Sequence, residues 1–297
     1  MVTSKTKLNS HLKKKEIKEN IEKLQKELIE LQTLSGNELE NYYMQVKALD
    51  DDALTMFWKP KQAAMNAEDG RSMIQAAVDG YKDVMELLTK AYTRVQSAND
   101  TFTDDEWVEL QNDLNEYIAG IKTIARFTEY NGKYLIDGNY MSANREPKAT
   151  FLVGVHPKDV VTFAPSNMNP SVLGESTLSQ PLNIDGNDII SVFVEHFSRS
   201  GMKDKDGKDI SVKINSTELA TIALTSIDDA ILQIKNLLVE SSLTQQELMR
   251  IKGFMEMKAE KGEVFLTRFK TDRAQEIADE LENLSNQLEL VTSIGDV

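Results

Sequence analysis

Both ends of this chain carry apolar residues on the same alternating four-and-three spacing, and nothing else in the sequence limits its fold as strongly. Near the start the residues are Ile17, Ile21, Leu24, Leu28 and Leu31; near the end they are Ile277, Leu281, Leu284, Leu288 and Val291. Such a repeat places one narrow apolar stripe on a helix, and a stripe of that width has to be covered by another helix. Leu34-Ser35-Gly36 supplies a stop for the first of these helices.

Charge strengthens the match between the two stripes. Residues 1–31 hold eight Lys against five Glu, a net +3, whereas residues 271–297 hold one Arg against seven acids, a net −6. Oppositely charged flanks favour lengthwise pairing of the two helices, with independent docking of each on a common bundle as the alternative.

Between the ends the pattern changes twice. Ile74, Val78, Tyr81, Met85, Leu88, Tyr92 and Val95 define a long amphipathic helix that finishes near "QSAND". Thr103 and Glu106 form a capping-box signature, and Trp107, Leu110, Leu114, Tyr117, Ile121 and Ile124 follow on one face of the next helix. That helix ends at "FTEYNGKYLIDG", where Asn131-Gly132 supplies a tight turn with Tyr130, Tyr134 and Leu135 as its anchors.

From residue 141 to about 218 the helical period is lost. "ATFLVGV", "DVVTFA", "DIISVFVEHF" and "DISVKI" read as short strands, and four of the six prolines (Pro147, Pro157, Pro165, Pro170) punctuate them. "DKDGKD" at 204–209 starts like a calcium loop but lacks the downstream ligands, so it reads as a hairpin turn. Helix then returns with Ile227, Ile231, Ile234 and Leu238, and again with Leu248, Ile251 and Met255 behind a cap at Thr244 and Glu247.

The expected fold is therefore mainly α with a small β region (α+β): a long antiparallel helical rod with paired terminal helices and β-hairpins. Its expected divisions are residues 1–36, a connector at 37–61, a long-helix rod at 62–140, hairpins at 141–220, a return helix at 221–262 and a terminal helix at 263–297.

Several function classes find no support. A net charge of −14 opposes phosphate binding, and Lys13-Lys14-Lys15 is followed at helical spacing by Glu16, Glu19 and Glu22, as a solvated face would be, so no nucleic-acid partner is expected. Without cysteine there is no disulfide or thiolate chemistry. His11, His156 and His196 lie far apart with no ligand spacing, and each reads as a surface or strand-edge residue. Asp50-Asp51-Asp52, Asp104-Asp105 and Asp228-Asp229 are adjacent rather than facing acids, and the last two complement helix N-termini. Neither a phosphate loop nor a dinucleotide glycine pattern is present, so no catalytic, cofactor or metal site is expected. No run is long and apolar enough for a membrane span, and "MVTSKTKLNSHLKKKE" has no apolar signal core; export, if it occurs, is expected by another route. The Asn215-Ser216-Thr217 sequon is noted without a role.

Three segments in one order resemble the N-terminal region of bacterial flagellins: "NAEDGRSMIQAAVDGY" at 66–81, "VQSAND" at 95–100 and "IARFTEYNGKYLIDG" at 124–138. The family patterns are N-A-x-D-G-x-S-x-x-Q, Q-S-A-N and T-x-F-N-G-x-x-L-L-D-G; they fall here on Asn66, Asp69, Gly70, Gln75, Gln96, Asn99, Asn131, Gly132 and Gly138. "ATFLVGV" and the strand after it are similar to the family's F-Q-V-G-A-N hairpin, and "SIDDAILQI" at 226–234 resembles the opening of its C-terminal long helix. The chain departs from the family at Leu34-Ser35-Gly36, where "LSSGxRIN" is expected, at Asp51-Asp52-Ala53-Leu54 for "DDAAGLAI", and at "TKAYT" (89–93) for the receptor-read "R-V-R-E-L".

The resemblance implies a homopolymer: a structural, non-enzymatic subunit of the flagellar filament serving motility. It would be secreted through the flagellar type III apparatus, served by an export chaperone and by cap and junction proteins. The ten terminal seam residues would then be self-assembly elements that order on docking. A hook-filament junction protein shares the architecture, and a glycan-binding surface adhesin would use Phe151, Phe163, Phe193 and Phe197 as a sugar platform.

Overall fold

The computed structural model describes residues 2–47, 58–141, 148–184, 187–198, 207 and 210–295. Residues 50–54, Pro147, the His11 side chain and all of "DKDGKD" except Gly207 lie outside the described residues. The chain divides into two compact units, Met1–Ala64 with Gly253–Val297 and Met65–Lys252.

The larger unit is built on antiparallel helices. Helix α3 (Lys59–Gln96) begins with Pro60 in its first turn, where a fixed φ and a missing N–H cost nothing. Helix α4 (Asp104–Phe127) starts at the capping box: the Thr103 hydroxyl accepts from Glu106 N, and the Glu106 carboxylate accepts from Thr103 N at 2.6 Å. The Arg94–Asp113 ion pair and the contact of Leu87 with Gly120 set α4 antiparallel to α3. Ile74, Tyr81, Leu88, Leu110, Leu114, Ile118 and Ile121 are fully buried between them, each stabilising the fold by about 1.5–3 kcal/mol. The first part of helix α5 (Thr217–Gly295) packs back along α3, with Gln245 Nε2 donating to Gln75 Oε1 and Lys252 paired with Glu68.

Three two-stranded antiparallel hairpins complete this unit: β1 (Glu129–Tyr130) with β2 (Lys133–Tyr134), β3 (Ala149–Leu152) with β4 (Val160–Phe163), and β5 (Ser176–Ile184) with β6 (Asn187–Val192). Asn131 (φ 49°) and Gly132 (φ 73°) form the left-handed pair that a two-residue hairpin turn requires. Leu135 N donates to Thr128 O at 2.9 Å and folds the chain back onto the end of α4. Leu135 and Ile136 are buried, whereas Tyr134 is exposed, so Leu135 and half-buried Tyr130 anchor this corner and Tyr134 does not.

Other expectations are corrected by the structure. The described part of "DISVKI" is not a strand; residues 210–214 form no regular element, with Val212 and Ile214 buried. Lacking a strand partner, the segment is held by Val212 N donating to His196 O and by Ile214 N donating to Gln111 Oε1 at 3.0 Å. Gln111 Nε2 in turn donates to Phe197 O at 2.7 Å, so one buried amide satisfies two irregular segments. His196 is buried rather than at the surface: it lies in a short 3-10 turn (Val194–Phe197), and its Nδ1 accepts from Phe193 N. Burial depresses the His196 pKa. Thr244 caps nothing, because α5 is unbroken across it and its hydroxyl donates to Glu240 O at 3.0 Å. No proline interrupts residues 217–295, and residues 217–220, placed in the hairpin division, form the first turn of α5.

The smaller unit contains α1 (Val2–Thr33), α2 (Gly36–Lys47), the start of α3 and the last part of α5. Helix α1 ends one residue before Leu34-Ser35-Gly36, and Gly36 has φ 49°. Leu31, Leu39, Tyr43, Leu266 and Ile277 form its core.

Candidate assembly interface

Two contacts fix the direction of the terminal helices. Arg273 Nη2 on α5 donates to Glu27 Oε1 on α1 at 2.9 Å, and Lys270 Nζ donates to Gln32 O at 2.9 Å and Leu34 O at 2.8 Å. As the α5 number rises from 270 to 273 the α1 number falls, so the helices run antiparallel. Lys270 thereby satisfies carbonyls that the end of α1 leaves without partners.

The seam residues occupy this pair unevenly. Ile17, Leu31 and Ile277 are buried; Ile21, Leu24, Leu28, Leu281, Leu284, Leu288 and Val291 are half-buried. A second helix covers a narrow stripe from one side only, and the remaining area stays open to water. Burial is deeper at Leu31 and Ile277, where α2 adds a third wall. There Tyr43 packs edge-on to Phe269, centroids 4.7 Å apart, and next to Phe265. Buried Glu40 of α2 pairs with Lys61.

Residues outside the two stripes thus decide how they meet. Tyr42 OH donates to Glu27 Oε1 at 2.7 Å, and Arg273 Nη1 donates to Glu276 Oε2 at 3.0 Å. Burial raises the Glu27 pKa, but the hydrogen bonds from Tyr42 and Arg273 outweigh it and leave the group below its ordinary value. The broad charge difference between the ends resolves into one cross-pair: among the described residues, Arg273–Glu27 is the ion pair joining α1 to the last part of α5. Sequence reasoning missed Arg273, Glu27, Tyr42, Tyr43 and Phe269. The signal available was that Arg273 is the sole base in the acidic terminal stretch.

In the larger unit the motif residues meet at the hairpins. Asn66 Nδ2 donates to Leu152 O at 2.7 Å, and Gly70 lies against the Phe151 ring so closely that an added Cβ would stand 2.9 Å from it. Together they seat β3 on α3. Asn66, Asp69, Tyr130, Asn131 and Phe151 line a groove of about 390 Å³. Gln75 Nε2 donates to Asp79 at 2.8 Å. Gln96 ends α3, Asn99 Oδ1 accepts from Thr101 N in the turn that follows, and Gly138 closes the corner after Asp137. The structure therefore brings Asn66, Asp69, Gly70, Asn131 and Gly132 to one place and leaves Gln96 and Asn99 at the other end of α3.

Residues 58–141, which include every one of these motif positions, match the family described as bacterial flagellin N-terminal helical region. Over that stretch the chain is similar to bacterial flagellins. It is 37% identical to the flagellin of Clostridium tyrobutyricum over 79 residues, covering 26% of the chain and 21% of that protein. It is 29% identical to the flagellin of Bacillus subtilis (strain 168) over 121 residues, 38% of the chain and 40% of that protein. It is 28% identical to the flagellar filament 31.3 kDa core protein of Treponema maltophilum over 99 residues, 32% of the chain and 34% of that protein. The chain thus spans well under half the length of these relatives. FliC from Burkholderia pseudomallei is a similar solved structure at 15% identity and a TM-score of 0.44, covering 60% of this chain and 99% of that one.

Among the described residues the remaining candidates build no second site. Phe163 and Phe197 are core side chains, Phe151 lies against Gly70 and Phe193 stacks on His196, so the four rings form no shared platform. His156 is exposed. Thr217 of the sequon donates its hydroxyl to Asp100 at 2.8 Å, and the Ser216 hydroxyl accepts from Leu219 N at the start of α5. Among the described residues no group of three His, Cys, Asp or Glu is arranged to hold a metal ion, and no helix is long and apolar enough to cross a membrane.

Proposed function

We propose that this chain is a structural subunit that polymerises with copies of itself into the extracellular bacterial flagellar filament and serves motility. The flagellin N-terminal helical region at residues 58–141 carries this reading. The terminal helices support it: seven of their ten seam residues keep apolar area open to water, the surface that a neighbouring copy would cover. An interface that joins one face of a subunit to a different face of the next is open and builds a helical polymer. On this reading the chain passes through the flagellar export apparatus with a chaperone, and cap and junction proteins bound its filament.

The alternative role at the hook-filament junction is not favoured, since the matched relatives include flagellins and a filament core protein. Immunogold labelling separates the two: label along the whole filament is expected, and label confined to its base would refute the filament role.

The test of the seams is a pair of double substitutions, Leu24→Asp with Leu28→Asp and Leu281→Asp with Leu284→Asp. Each is expected to abolish filaments in electron micrographs while the larger unit keeps its helical circular dichroism. Normal filaments from either variant would remove the seams from the assembly interface.

A further inference from the structure

The apolar stripes cannot by themselves choose a register. Both repeat every seven residues with branched aliphatics, so sliding α1 along α5 by one heptad again places aliphatic side chains opposite one another. A helix pair that must present one defined surface needs a mark that occurs once.

Two such marks lie side by side. Arg273 binds Glu27 and Glu276, and Tyr42 from α2 closes on the same Glu27 oxygen, so three helical segments meet at one carboxylate. One turn away, Lys270 donates to the carbonyls of Gln32 and Leu34, which are free only because α1 ends there. We infer that Arg273, seconded by Lys270, specifies the register of the terminal helix pair, and that Glu27 and Tyr42 are its recognition partners.

The alternative registers show why. A slip of one heptad in one direction sets Arg273 beside Asn20 and Glu27 beside Leu266; in the other it sets Arg273 beside Leu34 and Glu27 beside Glu280. Neither direction restores an ion pair, and the second opposes two carboxylates. Lys270 would face residue 25 or 39, and neither is at the carbonyl end of α1. The half-buried position of both Arg273 and Glu27 makes the mismatch costly, because a partly desolvated charge without its partner keeps its desolvation penalty. Arg273 already leaves its Nε buried without an acceptor, so its place is held by the two carboxylates it bridges rather than by full satisfaction of the group.

The inference rests on the filament reading only for its consequence in assembly; the register itself is a property of the chain. The absence of cysteine makes it measurable. Spin labels at Gln25→Cys and Ser285→Cys, both exposed, report the distance between α1 and α5 by pulsed electron paramagnetic resonance on the full chain. A one-heptad slip moves the helices by about 10 Å along their axes, from 1.5 Å per residue. The parent is expected to give one distance population. Arg273→Glu is expected to shift or split it, and Arg273→Glu combined with Glu27→Arg to restore it.

If Arg273→Glu unfolds the terminal helices instead, recovery of the parental distance in the swapped pair still supports the inference, and failure to recover it overturns the inference. An unshifted single population in Arg273→Glu, or a broad distribution in the parent, also overturns it. Filament formation is scored separately: a shifted distance with normal filaments would leave the register assignment standing and count against the terminal pair as an assembly element.

Discussion

Leu31→Ala tests whether the terminal unit is the less stable part of the chain. Leu31 is fully buried among Leu39, Tyr43, Leu266 and Ile277. Truncation to Ala removes three carbon groups, about 2.4 kcal/mol at roughly 0.8 kcal/mol each, and a residual cavity brings the loss to about 3–5 kcal/mol. Those residues form the main buried cluster of this unit, with half-buried Leu24, Leu28 and Phe269 packed against it, so that loss removes much of what holds the end of α1 in place. Leu114→Ala is the matched control: Leu114 is equally buried, but in the far larger core of α3 and α4. Amide hydrogen exchange read by mass spectrometry should show α1 and α2 losing protection by a factor of about 100 or more in Leu31→Ala, since every 1.4 kcal/mol is tenfold. Peptides from α4 should be unaffected by it. Leu114→Ala should instead speed exchange in α3 and α4. Unchanged protection of α1 in Leu31→Ala would refute the argument that these five residues hold the terminal unit together.

Three further outcomes follow from local chemistry. Gly132→Val places a β-branched residue at φ 73° and is expected to destabilise the larger unit by about 1–2 kcal/mol or more in denaturant unfolding. Gln111→Ala strands the buried Phe197 carbonyl and Ile214 amide; at about 1–3 kcal/mol for each unsatisfied group, thermal melting should fall by several degrees. The hydrogen bond from Arg71, with a second from Lys252, lowers the Glu68 pKa from 4.5 to about 2. A carboxylate with a depressed folded pKa contributes stability that is present above the unfolded value and lost as pH falls through the folded one. Stability should therefore decline between about pH 4.5 and 2, and Glu68→Gln should flatten that slope in acid titrations followed by circular dichroism.

Where periodicity and capping act locally, the sequence was informative. Thr103 and Glu106 make the box their spacing predicts, and Asn131-Gly132 makes the turn its φ preferences predict. The strands were less evenly legible, although each pairs with its neighbour in sequence. Strand β5 contains Pro181 within "STLSQPLNI" and has no clean alternation, so nothing in its own residues announces pairing with β6. "DISVKI" has the alternation of a strand yet forms none, since Gln111, about a hundred residues earlier, takes the amide that a neighbouring strand would have taken. Thr244 and Glu247 match the capping spacing but lie inside α5, where an intact ladder from residue 217 leaves no free amides to cap. The stripes of the terminal helices were plain, but the residues that align them were not. Glu27 and Arg273 are ordinary charges until the fold brings α2 and its Tyr42 to the same carboxylate.

The half-buried state of the seam bears on how a filament of such chains would grow. Full burial of an aliphatic side chain is worth about 1.5–3 kcal/mol, and about a third or less of each of the seven stays open, so covering them yields at most roughly 4–8 kcal/mol. Fixing one subunit against another costs an estimated 4–15 kcal/mol. On the proposed reading, a contact made through these seven residues alone is close to break-even, and two free subunits would associate weakly. A subunit arriving at an existing end meets more than one neighbour and incurs the association cost once for several contacts. On that reading growth at an end is favoured over pairing in solution, which would keep a chain with partly open leucines from polymerising before it reaches the filament. Register enters at the same step: a slipped terminal pair would present its open leucines to the wrong heptad of each neighbour, and the several contacts that offset the cost would fail together.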